Sequence, residues 1–201
     1  VRTCACDIRD ADAVERMIDA ADQAQPLTAL VNNAAGNFIS RTEDLSPRGF
    51  DAIANIVFRG AFFVTQGCGK RWIAEGRKAS VVSILTTWIW NGGPYTVPSA
   101  MSKAGIAAMS QSLAVEWGSY GIRFNNIAPG PFPTEGMSAR LNPGSDGQER
   151  RNAYGDMSAN PMGRVGEITE KVGGLNRNVR ALSPKYAALA DHASRACSGS
   201  R

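Results

Sequence analysis

Apolar residues along the chain fall into two kinds of run. Short, largely apolar runs span residues 27–31 and 79–85 and read as buried strands, the second suiting a parallel sheet buried on both faces. Residues 122–128 form the following strand. Residues 1–7 read as a further short strand ending on Asp7. The other kind recurs at helical spacing. Val14, Met17, Ile18 and Ala21 mark one buried face behind a capping Asp10. Ser46 and Pro47 open a long helical region that runs to about Glu75. Ile106, Met109, Leu113, Ala114 and Trp117 bury one side of a helix that starts near Pro98 and closes with Gly118 and Gly121. Strands alternating with helices predict an α/β fold with a mostly parallel, doubly wound sheet.

The pattern degrades beyond Gly166. Residues 171–201 carry Lys171, Arg177, Arg180, Lys185, Arg195 and Arg201 against one acid, Asp191. The expected organisation is a folded domain over 1–166 and a loose or weakly helical basic tail over 167–201.

Composition narrows the classes. With 201 residues, 43% of them hydrophobic and 20% charged, one soluble domain is the default. No run is long enough to cross a membrane, and the N-terminus has no basic-then-apolar leader pattern. Cys4, Cys6, Cys68 and Cys197 form no CxxC pair, and His192 is the single histidine. Neither a metal site nor a disulfide framework is expected. A reduced, cytoplasmic setting follows, with neither nucleic acid nor membrane as partner. The net charge of +4 suits a polyanionic ligand but equally a diffusely basic surface.

The candidate chemistry lies where the elements change. Ser99 and Lys103 are four residues apart, so a hydroxyl and an ammonium share one helix face. The run at 27–31 empties into Asn32-Asn33-Ala34-Ala35-Gly36-Asn37-Phe38. Turns at the carboxyl end of parallel strands line the ligand crevice of open α/β sheets. The last strand ends at Pro129-Gly130-Pro131-Phe132-Pro133-Thr134.

Four signals therefore stand in chain order: Asn32-Asn33-Ala34-Ala35-Gly36, the strand before Thr86, Ser99-x-x-x-Lys103, and Pro129-Gly130-Pro131. Together, over roughly residues 1–166, they resemble the short-chain dehydrogenase/reductase family. Ser99 stands where most of that family has tyrosine. The serine, the doubled alanine before Gly36, Asn37-Phe38-Ile39-Ser40 and Leu113-Ala114-Val115-Glu116-Trp117-Gly118 are similar to the 2,4-dienoyl-CoA reductase branch.

The resemblance implies a Rossmann-like sheet that is incomplete, lacking the family's first two strands and its last. The glycine-rich turn that seats a pyrophosphate is not in the chain. Residues 1–7 would then have no neighbouring strands, leaving an open edge beside 27–31. After Arg164-Val165-Gly166-Glu167 the family pattern stops. A truncated sequence with a shifted reading frame near its end would explain both departures.

The implied activity is NADPH-dependent reduction of conjugated C=C bonds in enoyl- or dienoyl-CoA thioesters, as in fatty-acid β-oxidation, with NADH also allowed. The serine fits this reaction. A serine hydroxyl is too weak an acid to protonate a carbonyl oxygen, but it can donate to a thioester oxygen as charge develops there. Carried over by the resemblance, Lys103 holds the nicotinamide ribose, Asn37 is an oxyanion donor, and Ser99 is a second donor or substrate positioner. Asp7 meets the adenine, Asn33 and Ala34 the adjacent ribose, and Pro129, Gly130 and Phe132 the nicotinamide end. Arg9, Phe38, Ser46 and Arg140 fall where the branch contacts its acyl-CoA substrate.

Two departures touch the chemistry. Trp88 stands where mitochondrial-type members carry a tyrosine, and an indole N–H has no proton to transfer. Thr86 or Tyr95 could substitute, while Trp88 and Trp90 could line the acyl pocket. Val57 or Arg59 occupies the neighbourhood of the family's helical asparagine. The resemblance also implies a homo-oligomer, a tetramer. Two alternatives stay open: a reductase whose substrate is not a CoA ester, and a catalytically inactive fragment or assembly partner. Ser198-Gly199-Ser200-Arg201 is not a peroxisomal address.

Overall fold

The computed structural model describes residues 3–130 apart from Phe38. The chain divides into two compact units, Val1–Ile127 and Ala128–Arg201. Of the second, only Ala128, Pro129 and Gly130 fall among the described residues. The expected boundary at Gly166 and the tail over 167–201 lie outside them.

Three strands form the sheet of the first unit: β1 (Ala29–Asn32), β2 (Ala79–Ile84) and β3 (Ile122–Ile127). They pair in the order β1-β2-β3, both pairs parallel, with Val31 opposite Val82 and Val82 opposite Asn125. All three predicted strands are therefore present, each shifted or trimmed by one or two residues, but β1 is largely uncovered, with Val31 61% exposed. β1 is an edge of this sheet, as expected.

The segment read as a first strand is different. Thr3–Asp7 carries no strand pairing among the described residues, and Thr3, Cys4 and Ala5 are exposed. An extended segment becomes a strand only when a neighbour accepts its hydrogen bonds, and none lies alongside.

The helices are α1 (Ala11–Ala24), α2 (Pro47–Ala54), α3 (Gly60–Ala74), α4 (Trp88–Asn91) and α5 (Val97–Trp117). Asp10 caps α1 by accepting from the amides of Asp12 and Ala13. Ser46 caps α2 through the Gly49 amide, with Pro47 in the first turn. The long helical region ends at Ala74 but is not uniform. A π turn at Asn55–Arg59 joins α2 to α3, and the periodicity gave no sign of it. Val57 at its centre is fully enclosed, and Phe58 is 44% exposed. On the other side of the sheet sequence, Gly121, with φ 77°, turns the chain into β3.

The core is built between α1, α3 and the sheet: Val14, Ile18, Cys68, Trp72, Ala79, Val81 and Ile122. Ala21, expected on the buried face of α1, is exposed. On α5 only Ile106 of the five predicted apolar positions is fully buried, and Met109, Leu113, Ala114 and Trp117 are half-buried. Gly67 lets α3 approach α1, since a Cβ there would lie 2.6 Å from Ile18. Polar ties reinforce the same contact. Arg71 pairs with Glu15 and Asp19, Arg77 with Asp22, and the Trp72 indole donates to the Leu27 carbonyl at 2.8 Å. No helix among the described residues is long and apolar enough to cross a membrane.

Candidate active site

The carboxyl ends of β1 and β2 and the first turns of α5 bring the candidate residues to one edge of the sheet. That edge is fixed by a buried amide. Asn32, the last residue of β1, donates to the Thr65 hydroxyl on α3 at 2.9 Å and to the Ser83 hydroxyl on β2 at 3.4 Å. Thr65 passes its own proton to the Ala61 carbonyl at 2.7 Å. Asn32, Thr65 and Ser83 are all buried. A satisfied polar network of this kind costs little to bury and sets one register between three elements. It pins the point from which Asn33–Asn37 leaves the sheet.

Asn37 is the unusual group of that turn. Both its amide atoms are buried, and neither has a hydrogen-bond partner among the described residues. Such a pair costs free energy unless something else occupies it. Asn33 and Ala34 are exposed on the same turn.

Lys103 lies on the second turn of α5 and is 5% exposed. Its Nζ donates to the Ile84 carbonyl, at the end of β2, at 2.5 Å. No carboxylate pairs with it among the described residues, and burial alone pulls its pKa down from 10.5 to about 8. Ser99, one turn earlier, is 7% exposed. Its hydroxyl makes no hydrogen bond among the described residues. Ser102 on the same helix is instead spent on the Pro98 carbonyl at 2.7 Å. The hydroxyl–ammonium face predicted for this helix is present, and both members are enclosed.

Thr86 follows β2 and accepts at its hydroxyl from the Trp88 amide at 3.5 Å. Trp88 is half-buried on α4, while Trp90 and Tyr95 are exposed. Tyr95 holds the left-handed conformation, φ 63°, and its carbonyl accepts from the Ser40 amide at 3.4 Å. That bond ties the loop after β2 to the loop after β1.

Asp7 and Arg9, expected to meet different ligands, bind each other at the surface. The Arg9 guanidinium grips both Asp7 oxygens with three bonds, and its backbone amide adds a fourth at 3.0 Å. The guanidinium holds the Asp7 carboxyl down at about 2. Both side chains remain about half exposed. Ser46 is committed to capping α2. Val57, not Arg59, is the enclosed residue of the π turn; Arg59 lies over the Phe63 ring at 4.9 Å. Pro129 and Gly130 follow β3 in the second unit. Phe38, Phe132 and Arg140 lie outside the described residues.

The sequence reading missed Asn32 and its network. Its partners are 33 and 51 residues away, so nothing local marks it beyond an amide at the end of an apolar run. The donor set has a definite chemistry: one amide and one hydroxyl without partners among the described residues, and one ammonium that meets a carbonyl but no carboxylate among them. It fits a ligand rich in hydroxyl, carbonyl and phosphate oxygens, as a nicotinamide dinucleotide is.

Comparison with known proteins gives the same picture. A family model described as enoyl-(acyl carrier protein) reductase matches residues 1–175. A Caenorhabditis elegans protein named as a probable 2,4-dienoyl-CoA reductase, (3E)-enoyl-CoA-producing, is 45% identical over 166 residues, covering 82% of this chain and 53% of its own length. A Bacillus subtilis protein named as a probable 2,4-dienoyl-CoA reductase, (2E)-enoyl-CoA-producing, is 40% identical over 82% of this chain and 63% of its own. An uncharacterized oxidoreductase of C. elegans is 46% identical over 82% of this chain. The chain spans about half the length of the two C. elegans relatives. Among solved structures, a short chain dehydrogenase from Bacillus anthracis matches with TM-score 0.69 and 36% identity, covering 90% of this chain and 68% of that one. A putative 2-deoxy-D-gluconate 3-dehydrogenase from Agrobacterium tumefaciens, with bound NADP, matches with TM-score 0.71 and 28% identity over 86% of this chain and 66% of that one. With its parallel sheet, its Asn32–Gly36 turn and its Ser99–Lys103 helix, the chain belongs to the short-chain dehydrogenase/reductase family.

Proposed function

We propose that this chain carries the substrate-reducing half of an NADPH-dependent reductase acting on conjugated enoyl- or dienoyl-CoA thioesters, within fatty-acid β-oxidation. The observation that carries the reading is a pair of polar groups at the sheet's carboxyl edge. They are the Asn37 amide, whose buried atoms have no hydrogen-bond partner among the described residues, and the Lys103 ammonium, enclosed and paired with no carboxylate among them. The names of relatives at 40–45% identity supply the substrate class.

When bound, a reduced nicotinamide supplies hydride to the conjugated acyl chain. The chain's own residues answer the charge this creates. Negative charge moves onto the thioester oxygen, and the Asn37 amide and Ser99 hydroxyl donate to it; donors fixed in a dry site stabilise that charge without reorganising. Lys103 holds ribose hydroxyls and keeps a positive charge close to the reacting centre. Trp88 lines the acyl side. Carbon is then protonated from water, so no tyrosine is required.

We also read Phe62, 41% exposed on α3, and Val115, 87% exposed on α5, as faces for self-association into a homo-oligomer, a tetramer by resemblance. Light scattering checks this.

The test of function is isotopic. NADPH deuterated at the transferable position is supplied with a 2,4-dienoyl-CoA. One deuterium is expected in the enoyl-CoA product, at C5, and the carbon that takes its proton from water, C4 or C2, separates a (2E) from a (3E) product. Folded protein that transfers no deuterium would refute the reading.

A further inference from the structure

The loop between α4 and α5 is shaped around one indole. Gly92 closes α4 at φ 70°, ψ 170°, a conformation reserved for glycine. Its amide donates to the Trp88 carbonyl at 3.1 Å. Thr96, 2% exposed, donates its hydroxyl to the Gly93 carbonyl at 3.0 Å. Tyr95 is held at φ 63° and bonded to Ser40. Gly93 is therefore anchored on both sides. A Cβ at Gly93 would lie 2.7 Å from Cδ1 of Trp88, and 2.9 Å from both Cγ and Nε1. The five-membered ring of the indole rests directly on this backbone.

We propose that Gly93 is a specificity-determining positioning residue: by having no side chain, it seats the Trp88 indole against the loop and thereby sets the width of the acyl site. This rests on the proposed function, in which Trp88 lines that site. The reasoning is steric. Carbon atoms settle at about 3.5–4.0 Å, so a methyl group at position 93 must push the indole by roughly 1 Å. The backbone cannot yield instead, because Gly92 and Thr96 hold it. α4 directly follows β2, and the Ser40–Tyr95 bond draws its loop to the turn carrying Asn37. With Trp88 lining the acyl site as proposed, the displaced ring changes the width of that site. Apolar pockets discriminate acyl groups that differ by one methylene by about 10-fold or more, so a ring shift of this size is read as chain-length preference.

The experiment compares the whole chain with Gly93→Ala, Trp88→Ala and the double variant. Binding of butenoyl-CoA and decadienoyl-CoA is measured by calorimetry, and the seat itself by tryptophan emission. Gly93→Ala should change the ratio of the two affinities by about 10-fold and shift the emission. In the Trp88→Ala background the same substitution should do neither. Should Gly93→Ala fail to fold, the double variant, freed of the overlap, should fold; a double variant that also fails would overturn the proposal. An unchanged affinity ratio, or a change that persists without Trp88, would overturn it too. Absence of acyl-CoA binding by the unmodified chain would instead refute the proposed function, with the emission shift still reporting on the seat.

Discussion

Replacing Lys103 by methionine should make the chain more stable at neutral pH, although the lysine is central to the proposed site. The amine is 5% exposed, and among the described residues its one hydrogen-bond partner is the neutral carbonyl of Ile84. Burial lowers its pKa from 10.5 to about 8. A tenfold change in proton affinity is worth about 1.4 kcal/mol, so keeping this group charged costs the folded state about 3 kcal/mol. The Ile84 carbonyl, bonding the charged form, offsets part of that, which leaves about 1.5–3 kcal/mol to observe.

The sign follows from proton counting. Below pH 8 the lysine is charged in both states, and the full cost falls on the fold. Between about 8 and 10.5 the unfolded chain binds the proton and the folded chain does not, so stability rises with pH. Above 10.5 both are neutral and the effect is constant. Urea unfolding of the wild type and Lys103→Met from pH 7 to pH 10.5 isolates this group, because other titrations cancel in the difference. The variant's advantage should be greatest near pH 7 and shrink through pH 8–10.5. A flat or growing difference would refute a buried, unpaired amine.

Other outcomes are expected from packing and polar ties. Asn32→Ala, which unties β1 from α3 and β2, should cost about 1–3 kcal/mol in urea unfolding and weaken ligand binding with it. Gly118→Ala should stabilise by about 0.5–1 kcal/mol, because the residue is already helical at φ −59° and a Cβ there meets nothing within 4 Å. Gly69→Ala should do the reverse. Its helix-propensity gain of about 1 kcal/mol is outweighed by overlap with the Trp117 ring, at about 1–3 kcal/mol. Thermal melts of the two variants should move in opposite directions.

How much of this was legible beforehand depended on the range of the interactions involved. The strands at 27–31 and 79–85 are largely apolar runs, and 122–128 is bounded by Gly121 and Pro129, all of which are local properties of sequence. The caps Asp10 and Ser46 are equally local, since each bonds amides two or three residues ahead. The Ser99–Lys103 face was readable because helical spacing alone places the two together. Thr3–Asp7 failed for the complementary reason: a strand needs a partner, and propensity supplies none. The π turn at Asn55–Arg59 was hidden because an extra residue in one turn barely disturbs an apolar pattern. The Asn32–Thr65–Ser83 network and the Gly93–Trp88 seat join residues by tertiary contact, and a glycine's neighbour cannot be read from the glycine. The Asp7–Arg9 pair was not read from the sequence, although a carboxylate two residues from a guanidinium is a local partner for it.

The most direct test of the central claim is titration of NADPH into the purified chain, followed by nicotinamide fluorescence, with and without a 2,4-dienoyl-CoA. Saturable binding that tightens in the presence of the thioester, and that is lost in Lys103→Met and weakened in Asn37→Ala, is the predicted result. A folded chain that binds neither ligand, or binds both unchanged in those variants, would contradict the assignment of the sheet's carboxyl edge as the site.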